Sequence, residues 1–247
     1  MGADAVHIMK GPWEFINLPR AMVDPDQYIF FRDDFLLDRT AVASDYTETK
    51  DGGGSDAILA TEAGGVFQYV TGGTDNNEYT LTVGATAAMV KATVSSGKRL
   101  AFEARVKSTT ITDRGFFVGL GEETLGADFL NDDDGDVVGT VDAIGFNVRT
   151  ATPTEIDCVY QKGSATAVEV QGNAGTDAAA WMKLGFSFDG GNEIRYFVDR
   201  VLVARASAVG TTYFPSGEEL TPVIAAKTGT GSAVTGAIDW WMVAQQR

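Results

Sequence analysis

Apolar and polar residues alternate with a period of two along most of this chain. The clearest case is the run ending at Lys107, where Leu100, Phe102, Ala104 and Val106 fall on one side of an extended chain and Arg99, Glu103, Arg105 and Lys107 on the other. One side is expected to face a core and the other water. The same pattern predicts strands at Tyr28 to Leu37, Ala57 to Thr61, Val66 to Thr71, Glu78 to Val83, Ala87 to Val94 and Arg99 to Lys107. Further strands are predicted at Phe116 to Leu120, Ala143 to Arg149, Ile156 to Gln161, Ala167 to Gln171 and Met182 to Phe188. Ile194 to Val198, Val201 to Ala206, Pro222 to Lys227 and Ile238 to Ala244 complete the set.

Between these runs, Asp51-Gly52-Gly53-Gly54, Gly72-Gly73-Thr74-Asp75-Asn76-Asn77 and Asp189-Gly190-Gly191-Asn192 supply residues that tolerate the left-handed conformations of tight turns. No helix longer than a turn or two is predicted. No fixed-period repeat occurs either, which sets propellers and β-helices aside. The expectation is an all-β protein with one large antiparallel sandwich or jelly roll over residues 28–247. A small β-domain followed by a sandwich is the alternative partition.

Residues 1–27 break the pattern, holding three of the six prolines, the single histidine His7, and Trp13, Phe15, Ile16 and Leu18 without periodicity. An extended arm is expected there. It would either strap across its own sandwich or reach a neighbouring subunit, with Trp13, Phe15, Ile16 and Leu18 as the partner-binding anchors.

Composition then narrows the chemistry. With 19 Lys and Arg against 34 Asp and Glu, the net charge of −15 disfavours nucleic acid and anionic membranes as partners. No stretch reaches the roughly 20 apolar residues of a membrane-spanning helix. The opening Met1-Gly2-Ala3-Asp4-Ala5-Val6-His7 lacks the basic and apolar regions of a secretory signal, and no Asn-x-Ser/Thr sequon occurs. One cysteine, Cys158, and one histidine, His7, exclude a disulfide framework and a zinc site built on Cys and His. Any active site would be made of carboxylates.

Three segments carry a resemblance. Leu100-Ala101-Phe102-Glu103-Ala104-Arg105-Val106-Lys107, the hairpin from Phe186-Ser187-Phe188-Asp189-Gly190 through Asp199-Arg200 to Val203, and the closing Ala237-Ile238-Asp239-Trp240-Trp241-Met242-Val243-Ala244-Gln245 stand in the expected order. Together they resemble the concanavalin A-like lectin/glucanase superfamily, in which Asp-Gly is usual where Asp199-Arg200 stand here. The resemblance implies the sandwich and leaves the activity open.

Its glucanase branch places a nucleophile and an acid/base carboxylate on one strand face, as Glu-x-Asp-x-Glu or Glu-x-Asp-x-x-Glu, because a retaining mechanism needs carboxyl groups about 5 to 5.5 Å apart. The nearest match is Glu155-Ile156-Asp157-Cys158-Val159-Tyr160, which lacks the second glutamate. No catalytic residue is assigned on that basis, and Glu155 and Asp157 are expected to face solvent.

Many members of the superfamily bind calcium. The acidic run Asn131-Asp132-Asp133-Asp134-Gly135-Asp136 is read mainly as a solvated loop tip, with Asp132, Asp134 and Asp136 as the ligand candidates should Ca²⁺ bind. No other cofactor is expected. Sugar binding needs aromatic platforms, for which Trp181, Tyr213, Phe214 and Trp241 are the candidates, although adjacent Trp240 and Trp241 must face opposite ways on a strand.

Asp33-Asp34-Phe35-Leu36-Leu37-Asp38, Gly72 to Glu78, Leu100 to Lys107 and Gly115-Phe116-Phe117-Val118-Gly119-Leu120 are also similar to tailed-bacteriophage virion proteins with this sandwich. That resemblance implies a non-enzymatic protein made in the host cytoplasm and placed on the capsid exterior. There it would decorate or cement the shell by binding the major capsid protein, as a homo-oligomer, with a trimer as the guess from closed symmetry. The alternative is a lectin-like module that binds surface glycans. A laminarinase-like hydrolase that recruits a distant carboxylate is the third reading.

Overall fold

A computed structural model describes residues 11–16, 24–35, 46–59, 64–84, 89–122, 128–163 and 165–247. Its strands begin with β1 (Tyr28–Asp33), β2 (Tyr46–Lys50), β3 (Ser55–Ile58), β4 (Phe67–Val70), β5 (Glu78–Val83) and the two-residue β6 (Val90–Lys91). The long central strands are β7 (Leu100–Ser108), β8 (Arg114–Gly121), β9 (Ala143–Val148), β10 (Glu155–Gln161) and β11 (Val168–Thr176). The chain closes with β12 (Met182–Phe188), β13 (Glu193–Val198), β14 (Val201–Ser207), β15 (Glu219–Thr228) and β16 (Thr235–Gln246).

These strands form two sheets. The first runs β14-β13-β12-β7-β16-β4-β3, and the second runs β11-β10-β9-β8-β15-β5-β2. Every pairing among them is antiparallel, as the sequence predicts for short strands joined by tight turns. Two long strands serve two partners along one edge. β16 pairs with β4 through Thr235–Ile238 and with β1 through Trp241–Gln246. β15 likewise pairs with β6 at Glu219 and Leu220 and with β5 from Val223 onward.

The sheets face each other across a continuous apolar core. Phe102 stacks on Phe186 at 5.5 Å, and Tyr196 meets Phe146 edge-on at 5.5 Å from the opposite sheet. Each large apolar side chain buried this way contributes about 1.5 to 3 kcal/mol. In β7 the inward set is Leu100, Phe102, Ala104 and Val106, as its alternation predicts. Trp241 also lies in this core, at 5.7 Å from Phe35 and 6.0 Å from Tyr46, while Trp240 points the other way. A fully buried Trp241 is no platform for a sugar, because its ring is already covered by other rings.

The outer side of β7 corrects a second expectation. Glu103, placed in water by the alternation, is 1% exposed. The cover is the segment Pro12–Phe15, a single turn of 3₁₀ helix laid over β7 and β12. The Trp13 indole N–H donates to Glu103 Oε2 at 2.8 Å, and Trp13 and Ile16 pack with Tyr28, Ala101, Met242 and Ala244. Arg200 grips the same carboxylate with two hydrogen bonds of 2.9 and 3.1 Å. Trp13 and Ile16, expected as anchors for a neighbour, are therefore covered by their own sheet, the strap arrangement. The Phe15 side chain, His7 and Leu18 lie outside the described residues.

Gly185 makes this contact possible, since a Cβ there would stand 2.7 Å from Pro12 Cγ. The hairpin joining β13 to β14 carries the grip. Asp199 and Arg200 both adopt positive φ, 48° and 66°, a turn that usually takes glycine at the second place. An arginine there is a strained choice, offset by its hold on Glu103.

Candidate functional site

The outer face of the second sheet divides into a covered half and a polar half. In β10, Ile156, Cys158 and Tyr160 enter the core, so Glu155, Asp157, Val159 and Gln161 line the outer face. In β9, Ile144, Phe146 and Val148 point inward, leaving Ala143, Gly145 and Asn147 outside. Residues 128–142 fold back across part of this face. Phe129, Leu130, Val137 and Val141 cover Phe117, Val159, Val223 and Ala225.

Close backbone approach and side-chain clamps hold this segment down. A Cβ on Gly115 would stand 2.8 Å from Gly135 Cα, and Gly135 itself has a φ of 72°. Gln161 donates from Nε2 to the carbonyls of Val138 and Val141 at 2.6 and 3.0 Å. At the other end, Glu78 accepts from the backbone N–H groups of Phe129 and Leu130 at 2.7 and 2.9 Å.

Lys227, 1% exposed on β15, reaches into the same place. Its ammonium donates to the Leu130 carbonyl at 2.6 Å, to Asp132 at 2.7 Å and to Asp128 at 2.9 Å, with Glu78 at 3.6 Å. Burial pulls the Lys227 pKa down, but the hydrogen bonds to Asp132 and Asp128 and the charge of Glu78 outweigh it and hold it above the usual lysine value. Burial pushes the Glu78 carboxyl up, against the hydrogen bonds from Thr80, Phe129 and Leu130 and the attraction of Lys227.

The calcium candidates are engaged elsewhere in this arrangement. Asp132 is engaged by Lys227, Asp134 accepts the Asp136 N–H at 2.9 Å, and Asp136 accepts from Asn147 Nδ2 at 3.0 Å. Each of the three carboxylates has a partner within the chain. Among the described residues no group of three or more His, Cys, Asp and Glu is placed to hold a metal ion. The positive charge at the heart of the loop is an ammonium supplied by β15.

Beyond the covered half lies a polar patch on β9, β10 and β11. Asp157 and Asn147 are 1% and 2% exposed, although the sequence reading put Asp157 in solvent. Asp157 Oδ1 accepts the Asn173 N–H at 2.9 Å. Its Oδ2 meets the Arg149 guanidinium at 2.9 Å by charge, without an aligned hydrogen bond. Arg149 also meets Glu169 at 3.2 Å and approaches Asp136 at 4.0 Å. Burial lowers the Arg149 pKa, and the charges of Asp157, Asp136 and Glu169 more than compensate, raising it. Asp136 is pushed up by burial and then by Asp134, with Arg149 pulling the other way.

Asn147 is left incomplete as well. Its amide N–H₂ donates to Asp136, which fixes the orientation, and its Oδ1 is buried without a hydrogen-bond partner. An unpaired buried carbonyl costs about 1 to 3 kcal/mol, so a ligand hydroxyl that donates to it recovers free energy on binding. With the exposed carboxylates of Asp136 and Glu169 as acceptors and Arg149 as donor, the patch suits vicinal hydroxyls.

The strand offers no second glutamate here. The place two residues after Asp157 is Val159, under the apolar cover, and Cys158 and Tyr160 face inward. The aromatic candidates do not gather either. Arg105 lies over the half-buried Trp181 ring at 4.6 Å, just before β12 begins. Tyr213 is 49% exposed, beside a buried Phe214 that packs on Phe188 at 5.0 Å, at the far end of β12. The length of β12 puts roughly 20 Å between the two ends. Asn147, Arg149, Glu169 and Lys227 were missed as site residues by sequence reasoning. The one legible signal was an asparagine inside the apolar run Ala143-Ile144-Gly145-Phe146-Asn147-Val148.

No family model and no curated protein sequence matches the chain. Solved structures do. The carbohydrate recognition domain of Emp47p aligns with a TM-score of 0.59 at 15% identity, over 89% of this chain and 97% of that domain. The potassium-bound carbohydrate recognition domain of Emp46p aligns at 0.54 and 12% identity, over 85% and 94%. A structure described with endo-acting O-glycanases of the human gut microbiota aligns at 0.53 and 11% identity, over 86% and 97%. At these identities the likeness is one of fold, and the fold is the concanavalin A-like lectin sandwich.

Proposed function

We propose that this protein is a lectin-like module that binds a carbohydrate on the polar half of the second sheet, around Asn147, Asp157 and Arg149. The observation that carries the reading is the unpaired, buried Asn147 Oδ1 beside an Asp157 carboxylate with one oxygen not aligned to any donor. Resemblance of the whole sandwich to carbohydrate recognition domains supports it. The test is a glycan array followed by titration calorimetry. Hits on neutral or amino sugars are expected, with Asn147→Ala and Asp157→Asn each weakening binding at least about 10-fold, a loss of roughly 1.4 kcal/mol. An array without hits, or hits indifferent to both substitutions, rejects the reading.

A second reading is favoured by one feature, the raised Asp136 carboxyl close to the same guanidinium as Asp157. A carboxyl held protonated to higher pH beside a second carboxylate is one element of an acid/base pair. Glycan cleavage would then release reducing sugar in a manner abolished by Asp136→Asn and untouched by Glu155→Gln. The capsid-decoration reading keeps its own test, co-sedimentation with decoration-free capsids at micromolar protein, but Trp13 and Ile16 no longer argue for it because their own sheet covers them.

A further inference from the structure

A cleft of about 410 Å³ opens between the sheets where β16 ends and β15 begins. That is within the usual range of small-molecule sites. Its apolar floor is Ile29, Met89 and Val90, and Lys91, Lys98, Arg247 and Glu219 stand around it. One wall is built rather than incidental. Gln245 crosses from β16 to β6, accepting the Lys91 N–H at 3.0 Å and donating to the Lys91 carbonyl, so both backbone groups of that residue are fixed.

The charge of this cleft runs against that of the chain. With 34 carboxylates for 19 cationic side chains, ion pairing should absorb nearly every cation. Among the described residues, the ammonium groups of Lys98, Lys107 and Lys183 and the guanidinium of Arg247 make no ion pair, and two of these four line this one cleft. Lys91 is paired with Glu219 at 2.8 Å, which leaves Lys98 and Arg247 as the side-chain cations of the cleft without an ion pair. Two unpaired cations above an apolar floor, in a protein whose general field repels anions, form a site selective for an anion carried on a small apolar scaffold.

From this we infer that the cleft is a second binding site, for an acidic saccharide. Lys98 and Arg247 take its carboxylate or sulfate ester, and the C–H face of the ring lies on Ile29, Met89 and Val90. Only the sugar scaffold rests on the glycan-binding reading above; the anion rests on the two cations. The experiment is amide NMR of ¹⁵N-labelled protein with glucuronate, glucose 6-sulfate, glucose and inorganic sulfate at about 10 mM each. Both acidic sugars should shift the amides of Lys91, Thr93, Lys98 and Gln246 and saturate, and the double variant Lys98→Glu, Arg247→Glu should weaken them at least about 10-fold while keeping a dispersed spectrum.

Absence of shifts, equal shifts from glucose, or shifts unchanged in the double variant overturns the site. Equal shifts from inorganic sulfate overturn the saccharide and leave a plain anion site. Asn147→Ala should leave these shifts intact, so the two sites fail separately.

Discussion

The two outer faces of the sandwich are covered by the same kind of device and differ in how much they hide. On the first sheet, the turn Pro12–Phe15 lies over Glu103, and Trp13 and Arg200 complete the carboxylate from above. On the second, residues 128–142 lie over an apolar patch, and Lys227 completes a group of oxygens from below. Each cover is fastened at buried charges that its own chain satisfies. The second cover leaves Asn147 and Asp157 beside it, buried yet incompletely paired. The gap beside the second cover is the feature on which the proposed carbohydrate site rests.

The comparison can be broken most sharply at Lys227. Replacing it by Met strands Glu78, Asp128 and Asp132 around a missing cation and should cost about 3 to 5 kcal/mol in urea denaturation. Adding Glu78→Gln should recover part of that loss. A loss below about 1 kcal/mol would mean that the ammonium does not fasten the loop.

Trp13→Ala comes next, at about 3 kcal/mol for a fully covered indole, with Trp13→Phe near 1 kcal/mol for the lost hydrogen bond. If both variants melt with the parent, the strap is not anchored on the first sheet. Arg200→Gly sets two effects against each other, relief of a strained turn and loss of the Glu103 partner. A net destabilisation of about 1 kcal/mol is expected, and Glu103→Gln in the same background should restore some of it.

The smallest effect is a pH dependence. Burial, with Asp142 as a charged neighbour, raises the Glu122 carboxyl above its ordinary value, and burial likewise raises that of Asp142. The folded state then holds these protons more tightly than the unfolded one, so the contribution of these groups to stability is greatest at low pH and falls as pH rises from the ordinary carboxyl values through the raised ones. Glu122→Gln should therefore raise Tm by about 1 °C at neutral pH and leave it unchanged near pH 4. A gain that is equal at both pH values would exclude the linkage.

Strand alternation made most of the fold legible. Glu78 to Val83 and Met182 to Phe188 coincide with β5 and β12, because both runs bury a repeating apolar set between turn residues. β2 was not visible. Tyr46-Thr47-Glu48-Thr49-Lys50 has a single apolar residue, and its place at the edge of the second sheet asks only for that one to be buried. Ala87 to Val94 is paired, within the described residues, only at Val90 and Lys91.

The candidate site was less legible for a different reason. Asp157 and Glu103 occupy outward positions on their strands, and period-two reasoning assigns outward positions to water. What buries them is chain from 16 to 97 residues away, through Asn173, Trp13 and Arg200. Alternation reports the side of a sheet and carries no information about what later folds over it. The acidic run shows the same limit, since nothing near Asp132 in sequence announces Lys227.

Lys227 has one more consequence, for when and where this protein can be assembled. A loop gathered around a free ion closes only where that ion is plentiful and reopens when a chelator removes it. Here the counter-charge is encoded in β15 and arrives with the polypeptide, so loop closure answers to folding alone. The polar face beside it is set with the fold, and Tm should be unchanged by EDTA.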